Sequence, residues 1–392
     1  GHKCYPSVED IPGPVDIALV FTPAPTVPRI VEQCGKKGIP FLVIITADFS
    51  ETGPDGAALE TRVIKMARKR GLRLVGPNSM GIYSAQTELH ALMPPTMPLK
   101  GPASMFSQSG NVGVQMLAWG ADEGIGFEKF VSSGNEGDLD SADYLAYLGE
   151  DENTRVILAY MEGLGSGLGL YPVARAASLQ KPVLLFKGGR TRAGGKAAAS
   201  HSGATAGSNR VFNSAMHQAG VIQIQTSQAM MDCAKAFSNL PLPQGNRVGI
   251  LTRGGGWGVI ASDACEESGL SVPPLPEELI KKIDPYLPSY WSRGNPVDMG
   301  ATISHDPFLE CLEILTEWED IDAVIALGAV RATMKFPFSD KVVGPPEVLG
   351  AIDMALEFRK AMTAQPDAIL GGIKKLIDRT GKPIVAVSTG PD

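Results

Sequence analysis

The chain has 392 residues, 44% of them apolar, with 42 acidic against 35 basic side chains and a formal net charge of −7. That length exceeds what one hydrophobic core usually organises, so two or three domains are expected. The acidic balance without a Lys/Arg run excludes the footprint of a nucleic-acid binder, and no apolar stretch reaches the ~18 residues that would span a bilayer. Five scattered cysteines (Cys4, Cys34, Cys233, Cys265, Cys311), with no CxxC pair, point to neither a disulfide framework nor a zinc site. The expectation is a cytoplasmic protein with a small-molecule client, no membrane, no nucleic acid and no metal ligands.

In chain order, GHKCYPSVEDIPGPVDIALVF opens in loop chemistry without an initiator Met and reads as a fragment or a processed piece. DIALVFTPA is a buried strand, VPRIVEQCGKKG a helix with a glycine stop, FLVIITADF the next strand and AALETRVIKMARKRG a second helix; LRLVGPNSMG runs from a strand into a loop. This is a Rossmann-like unit lacking its first strand and loop. MPPTMPLKGP, at 93–102, is dense in proline and aperiodic, and is expected to be a linker. A second set follows, with strands at ASMFSQ, FEKFVSSG, RVILAYME, PVLLFKG and VIQIQ, each trailed by a helical pattern. NLPLPQGN, at 239–246, marks another boundary, after which RVGILTR, DAVIALGA and PIVAVST form a third set. RATMKFPFSDKVVGPPEVLG reads as an inserted loop. Alternating strands and helices give an α/β chain of parallel sheets, divided into 1–98, 99–240 and 241–392.

Chemistry concentrates at three places. MFSQSGNVGVQML and ILTRGGGWGVIAS each read as a strand, a small-residue turn and a helix, a layout that turns backbone N–H groups and the positive end of the helix dipole toward an anion. The candidate donors are Ser109, Gly110 and Asn111 in the first turn, and Gly254, Gly255 and Gly256 in the second. The third place is His201, in KAAASHSGATAG, whose small neighbours suggest a mobile loop with an accessible ring. A neutral imidazole can attack phosphorus, and a carboxylate on its other nitrogen can orient it; Glu162, ending VILAYME, suits that role. His2, His90, His217 and His305 show no metal-ligand spacing. Trp257, directly after the second turn, is a candidate wall of a substrate pocket.

Six ordered motifs, GPNSMG, FSQSGNVG, YMEG, KGGRTRAGGKAAASHSGATAG, LTRGGGWGV and GNPVDM, together resemble the NDP-forming (ADP-forming) acyl-CoA synthetases, relatives of the succinyl-CoA synthetase α subunit. The similarity extends over nearly the whole chain. It implies a partial Rossmann-like CoA-binding domain followed by two flavodoxin-like domains, with His201 phosphorylated, Glu162 beside it and the two turns holding the phosphohistidine. It also implies CoA contacts from Thr22, Pro23, Ala24, Ile45, Thr46, Ala47 and Asn78. The implied reaction takes a phosphoryl group from a nucleoside triphosphate to His201, then to a carboxylate, and ends in displacement of phosphate by CoA.

Several positions depart from the family pattern. Ser79 stands where relatives carry Cys; Val114 stands where the succinate enzymes have a substrate-side Tyr, which argues against succinate; Arg253 and Trp257 make a larger or aromatic acid plausible. No GxxxxGK[ST] loop is present, so ATP and Mg²⁺ are expected to be bound by an ATP-grasp domain or a β-type subunit, in a homo- or hetero-oligomer. A CoA-sensing regulatory region fused to another activity, such as an acyltransferase, is the competing reading, and it expects a decayed site. A dinucleotide oxidoreductase would need a GxGxxG with a downstream acid, which is missing.

Overall fold

The computed structural model describes residues 3–163, 167–202, 208–300, 307–329 and 366–388. The chain divides into two compact units, Gly1–Asn239 and Leu240–Asp392. Among the described residues no helix is long and apolar enough to cross a membrane. The segments 301–306 and 330–365, which contain His305 and the whole of the expected inserted loop, lie outside the described residues, as does His2.

The first unit opens with a parallel sheet of β1 (Ile17–Val20), β2 (Phe41–Ile44) and β3 (Arg73–Val75), in that order. Helices α1 (Val27–Lys37) and α2 (Pro54–Lys69) are its crossovers. On α1, Val27, Val31 and Cys34 recur on one face and are buried, and Gly38, at φ +80°, ends the helix in the left-handed conformation that glycine adopts freely.

A seven-stranded sheet follows, ordered β10-β9-β8-β6-β7-β4-β5. Its members are β4 (Gly81–Ser84), β5 (Leu89–Leu92), β6 (Leu99–Ser107), β7 (Gly126–Ser132), β8 (Val156–Met161), β9 (Val183–Lys187) and β10 (Ile222–Ile224). The β4–β5 hairpin runs antiparallel at one edge, and β6 to β10 are parallel. Residues 81–92 therefore belong to this sheet, and the boundary expected after residue 98 falls between two of its strands. The expected linker at 93–102 is also shorter than read, because Leu99–Pro102 already lies in β6. The register against β7 shifts between Lys100 and Ala103, which accommodates Pro102 without a ladder N–H.

Covering helices are α3 (Gly110–Asp122), α4 (Ser141–Glu150), α5 (Gly167–Ser178), α6 (Arg192–Ser202), α7 (Asn209–Gln218) and α8 (Ser227–Asn239). Strand alternation feeds two cores. Val156 and Leu158 of β8 pack with Met105, Phe127 and Phe130 on one face, while Ile157, Ala159 and Met161 pack with Phe106, Val183 and Leu185 on the other. That double burial is why these strands read as unbroken apolar runs.

The second unit has a four-stranded parallel sheet, β12-β11-β13-β14, from β11 (Val248–Thr252), β12 (Val297–Asp298), β13 (Ala323–Leu327) and β14 (Ile384–Val387). Helices α9 (Gly255–Glu267), α10 (Glu277–Ile283), α11 (Phe308–Glu317) and α12 (Pro366–Thr380) accompany it. On α11, Phe308, Cys311, Leu312 and Leu315 form the inward stripe, at the spacing of a helix face.

Candidate active site

At the C-terminal end of β6 the chain turns directly into α3. Ser109 caps the helix in extended conformation, and its Oγ accepts from Val112 N at 3.4 Å. Ser107 Oγ donates to Ser109 O at 2.6 Å, and Ser109 O also receives the Gly113 amide at 3.0 Å. The amides of Gly110 and Asn111 are left without an acceptor among the described residues, at the positive end of the helix. A methyl group at Gly113 would stand 2.6 Å from the Phe130 ring and 2.9 Å from Ser107 Cβ, so only glycine lets the helix start this close to the sheet.

The second unit repeats the device. Thr252 Oγ1 donates to Gly254 O at 2.8 Å and accepts the Gly254 amide at 3.1 Å. Gly254 O takes the amides of Trp257 and Gly258, which leaves those of Gly255 and Gly256 without an acceptor among the described residues. Nothing lies within 4 Å of where a Gly256 Cβ would stand, so approach to that amide is open; Asp298 Oδ2 comes within 2.8 Å of the corresponding Gly255 position.

Glu162 immediately follows β8 and is gripped through its backbone. Its amide donates to Gln108 Oε1 at 2.6 Å, and its carbonyl accepts from Lys187 Nζ at 2.6 Å. The Tyr160 hydroxyl donates to Glu162 Oε1 at 3.2 Å; burial, reinforced by the Glu162 carboxylate, pushes that phenol up to about 12, so it acts as a donor. Burial lowers the Lys187 ammonium, with Glu162 opposing the shift.

The loop SSGNEGD, which sequence reasoning passed over, organises this region. Asn135 Nδ2 donates to Ser50 Oγ at 3.1 Å, Glu51 Oε2 at 2.5 Å and Glu60 Oε2 at 3.0 Å, joining the loop to the first sheet's layer. Glu136 accepts from Gln108, Ser133 and Ser141, and burial holds its carboxyl above the usual range against those hydrogen bonds. Asp138 has a fully buried side chain that takes Arg68 Nε, Arg73 Nε and the Leu74 amide. A run of polar residues between a buried strand and a capped helix was the available signal.

The expected CoA residues gather where β1 and β2 end, the edge of a parallel sheet at which ligands bind. Thr46 Oγ1 donates to Thr22 O at 2.7 Å and to Val20 O at 3.2 Å, tying the two strand ends together. Thr22, Pro23 and Ala47 are exposed, whereas Ala24 and Ile45 are buried and offer only backbone. Asn78, in left-handed conformation, donates its amide to Thr46 O at 2.9 Å and so joins the same edge. Ser79 is buried, with its hydroxyl on Ser132 O at 2.6 Å.

For His201 the reading of a mobile loop is corrected: the backbone is helical through Ser202, because the alanine run preceding it is strongly helix-forming. Its side chain, and residues 203–207, lie outside the described residues. The helix passes close to Glu162: a methyl group at Gly189 would be 3.2 Å from Ala198 Cβ and 3.6 Å from Glu162 O, and His201 follows Ala198 by about one turn. Val114 is buried in the core around Met105 and Phe130. Trp257 is 53% exposed on the first turn of α9.

Three family models match in order: a CoA binding domain at residues 1–85, a succinyl-CoA ligase like flavodoxin domain at 100–237 and a Ligase-CoA domain at 248–338. The α subunit of acetate–CoA ligase [ADP-forming] I from Pyrococcus furiosus is 38% identical over 95% of this chain and 85% of its own length. This chain belongs to the ADP-forming acyl-CoA synthetases. Acetate–CoA ligase [ADP-forming] I of Archaeoglobus fulgidus is 39% identical over 88% of this chain, which spans half of that protein. Among solved structures, dinucleotide forming acetyl-coenzyme A synthetase 1 of Ca. Korarchaeum cryptofilum, in complex with phosphate and ADP, matches with a TM-score of 0.87 and 33% identity. That match covers all of this chain and 78% of the other.

Proposed function

We propose that this chain, acting in the cytoplasm with an ATP-grasp domain or β-type subunit, joins a carboxylic acid to CoA at the expense of ATP, releasing ADP and phosphate. ATP, with Mg²⁺ held by the partner component, supplies the phosphoryl group. The His201 imidazole attacks its terminal phosphorus, and the bond to the ADP oxygen breaks. Glu162 accepts the proton-bearing edge of the ring, holding the attacking nitrogen in its unprotonated form. The Gly110 and Asn111 amides take phosphoryl oxygens, stabilising charge with fixed dipoles that need no reorganisation; the Gly255 and Gly256 amides of the second unit are phosphate donors of the same kind. A carboxylate oxygen of the acid then attacks the same phosphorus; the P–N bond breaks, freeing the imidazole and leaving an acyl phosphate.

CoA, when bound, supplies the thiolate that displaces phosphate from the acyl carbon. Thr22, Pro23, Ala47 and Asn78 hold it at the β1–β2 edge, together with backbone from Ala24, Ile45 and Thr46. The observation that carries this reading is the pair of strand-to-helix turns, each with two adjacent first-turn amides open to an anion. The test is incubation of the complete enzyme with γ-labelled ATP. An acid-labile, base-stable label on His201 is expected, and its retention in His201→Ala overturns the proposal. Release of AMP instead of ADP, measured across short-chain, aromatic and zwitterionic acids, overturns it equally, and the same panel names the acid.

A further inference from the structure

We infer that Gln108, locked by the largely buried Glu136, is the positioning residue that sets Glu162 against the open amides of α3; this rests on the function proposed above. Its carboxamide makes four bonds of 3.1 Å or less and a longer one, of 3.5 Å, from Nε2 to Ser141 Oγ. Oε1 accepts from Glu162 N at 2.6 Å and Gly163 N at 3.1 Å, while Nε2 donates to Gly163 O at 3.0 Å and Glu136 Oε2 at 3.0 Å. Two N–H groups on one side and a carbonyl with a carboxylate on the other leave a single orientation for the amide. Its backbone amide adds a bond to Tyr160 O at 3.1 Å. Gln108 directly precedes the cap Ser109, so one residue ties the start of α3 to the chain carrying Glu162, more than fifty positions later.

Glu136 is built to hold that residue. It is largely buried, sits at φ +55° although it is not glycine, and its hydrogen bonds go to Gln108, Ser133 and Ser141 among the described residues. A carboxyl placed at the expense of both desolvation and backbone strain, with its bonds spent on a neighbouring side chain and two serines, is a brace for that side chain. A carboxamide could replace it: one oxygen would take Gln108 Nε2 and the Ser141 amide, and an NH₂ would donate to the two serine hydroxyls.

The complete enzyme is therefore assayed for the rate of His201 labelling at saturating ATP, normalised to the folded fraction from near-UV circular dichroism, with the CoA dissociation constant measured beside it. Gln108→Asn, one methylene too short to reach every partner, is expected to slow labelling by about 10- to 100-fold, the cost of displacing a reacting group by an ångström or so. Its KM for ATP and its affinity for CoA stay within about twofold of wild type, since only the transition-state arrangement has been disturbed. Glu136→Leu behaves in the same way, and Glu136→Gln restores labelling to within about threefold of wild type. Labelling of Gln108→Asn at the wild-type rate overturns the inference, as does a Glu136→Gln enzyme as slow as Glu136→Leu. A wild-type enzyme that takes no label on His201 refutes the proposed function instead, which keeps the two failures distinct.

Discussion

Replacing Asp138 by Ala removes the clamp between the first sheet and the SSGNEGD loop. Its side chain is fully buried and accepts from Arg68 Nε at 2.7 Å, Arg73 Nε at 2.9 Å and the buried Leu74 amide at 2.9 Å. The stranded Leu74 amide costs about 1–3 kcal/mol. The two arginine side chains are 60% and 45% exposed and regain water, so each adds only about 0.5–1 kcal/mol. Together these destabilise the first unit by about 2–5 kcal/mol, which lowers its Tm by about 4–20 °C at this domain size. Asp138→Asn, whose remaining oxygen can still accept from Leu74, should lose about half as much.

The pH dependence of that loss has a defined sign. Burial raises the Asp138 carboxyl, but the Leu74 amide with Arg68 and Arg73 outweighs it and holds the group below the ordinary carboxylate range. Its stabilisation is therefore fully present above the unfolded-state value of about 3.9 and is lost as pH falls through the folded-state value. Scanning calorimetry of wild type and Asp138→Ala should show a Tm gap that is constant from about pH 8 to 5 and closes in more acidic buffer. A gap under about 1 °C at neutral pH, or one that widens on acidification, refutes the reasoning.

Three further outcomes follow from other sites. Gly113→Ala should cost about 1–3 kcal/mol through collision with Phe130 and Ser107, whereas Gly256→Ala, facing open space, should leave thermal stability unchanged or raise it by up to about 1 kcal/mol. Thr46→Val removes the hydroxyl bonds to Thr22 O and Val20 O, worth about 1 kcal/mol, and titration calorimetry should find CoA bound about fivefold more weakly. Burial pushes the Cys34 thiol up to about 11, so at pH 8 a thiol reagent should modify exposed Cys4 at once and reach Cys34 only on unfolding, as read by peptide mass spectrometry.

Much of the architecture was legible. Strands β1, β2, β6, β8, β9, β11 and β13 stand in the sequence as apolar runs because parallel strands covered on both faces pack side chains of both alternating sets, and the two helix-opening turns announce themselves by glycine and serine. The β4–β5 hairpin was not legible: GIYS and LHAL are short, and the hairpin joins the sheet through the pairing of β4 with β7, more than forty residues later. The extent of α6 was misjudged from the same small residues that make it, since Ala and Gly look alike in composition but differ by about 1 kcal/mol per residue in a helix.

The sequence by itself determined the alternation of strand and helix, the family, and the residue types available for phosphoryl transfer, because those depend on period, turn chemistry and ordered motifs within a few tens of positions. Only the tertiary structure decided which polar residues act together. Gln108 meets Glu162 across 54 positions, Asp138 meets Arg68 across 70, and Asn135 meets Ser50 across 85. A buried hydrogen bond depends on distance and direction in space, and the chain acquires those only when its sheets close over one another.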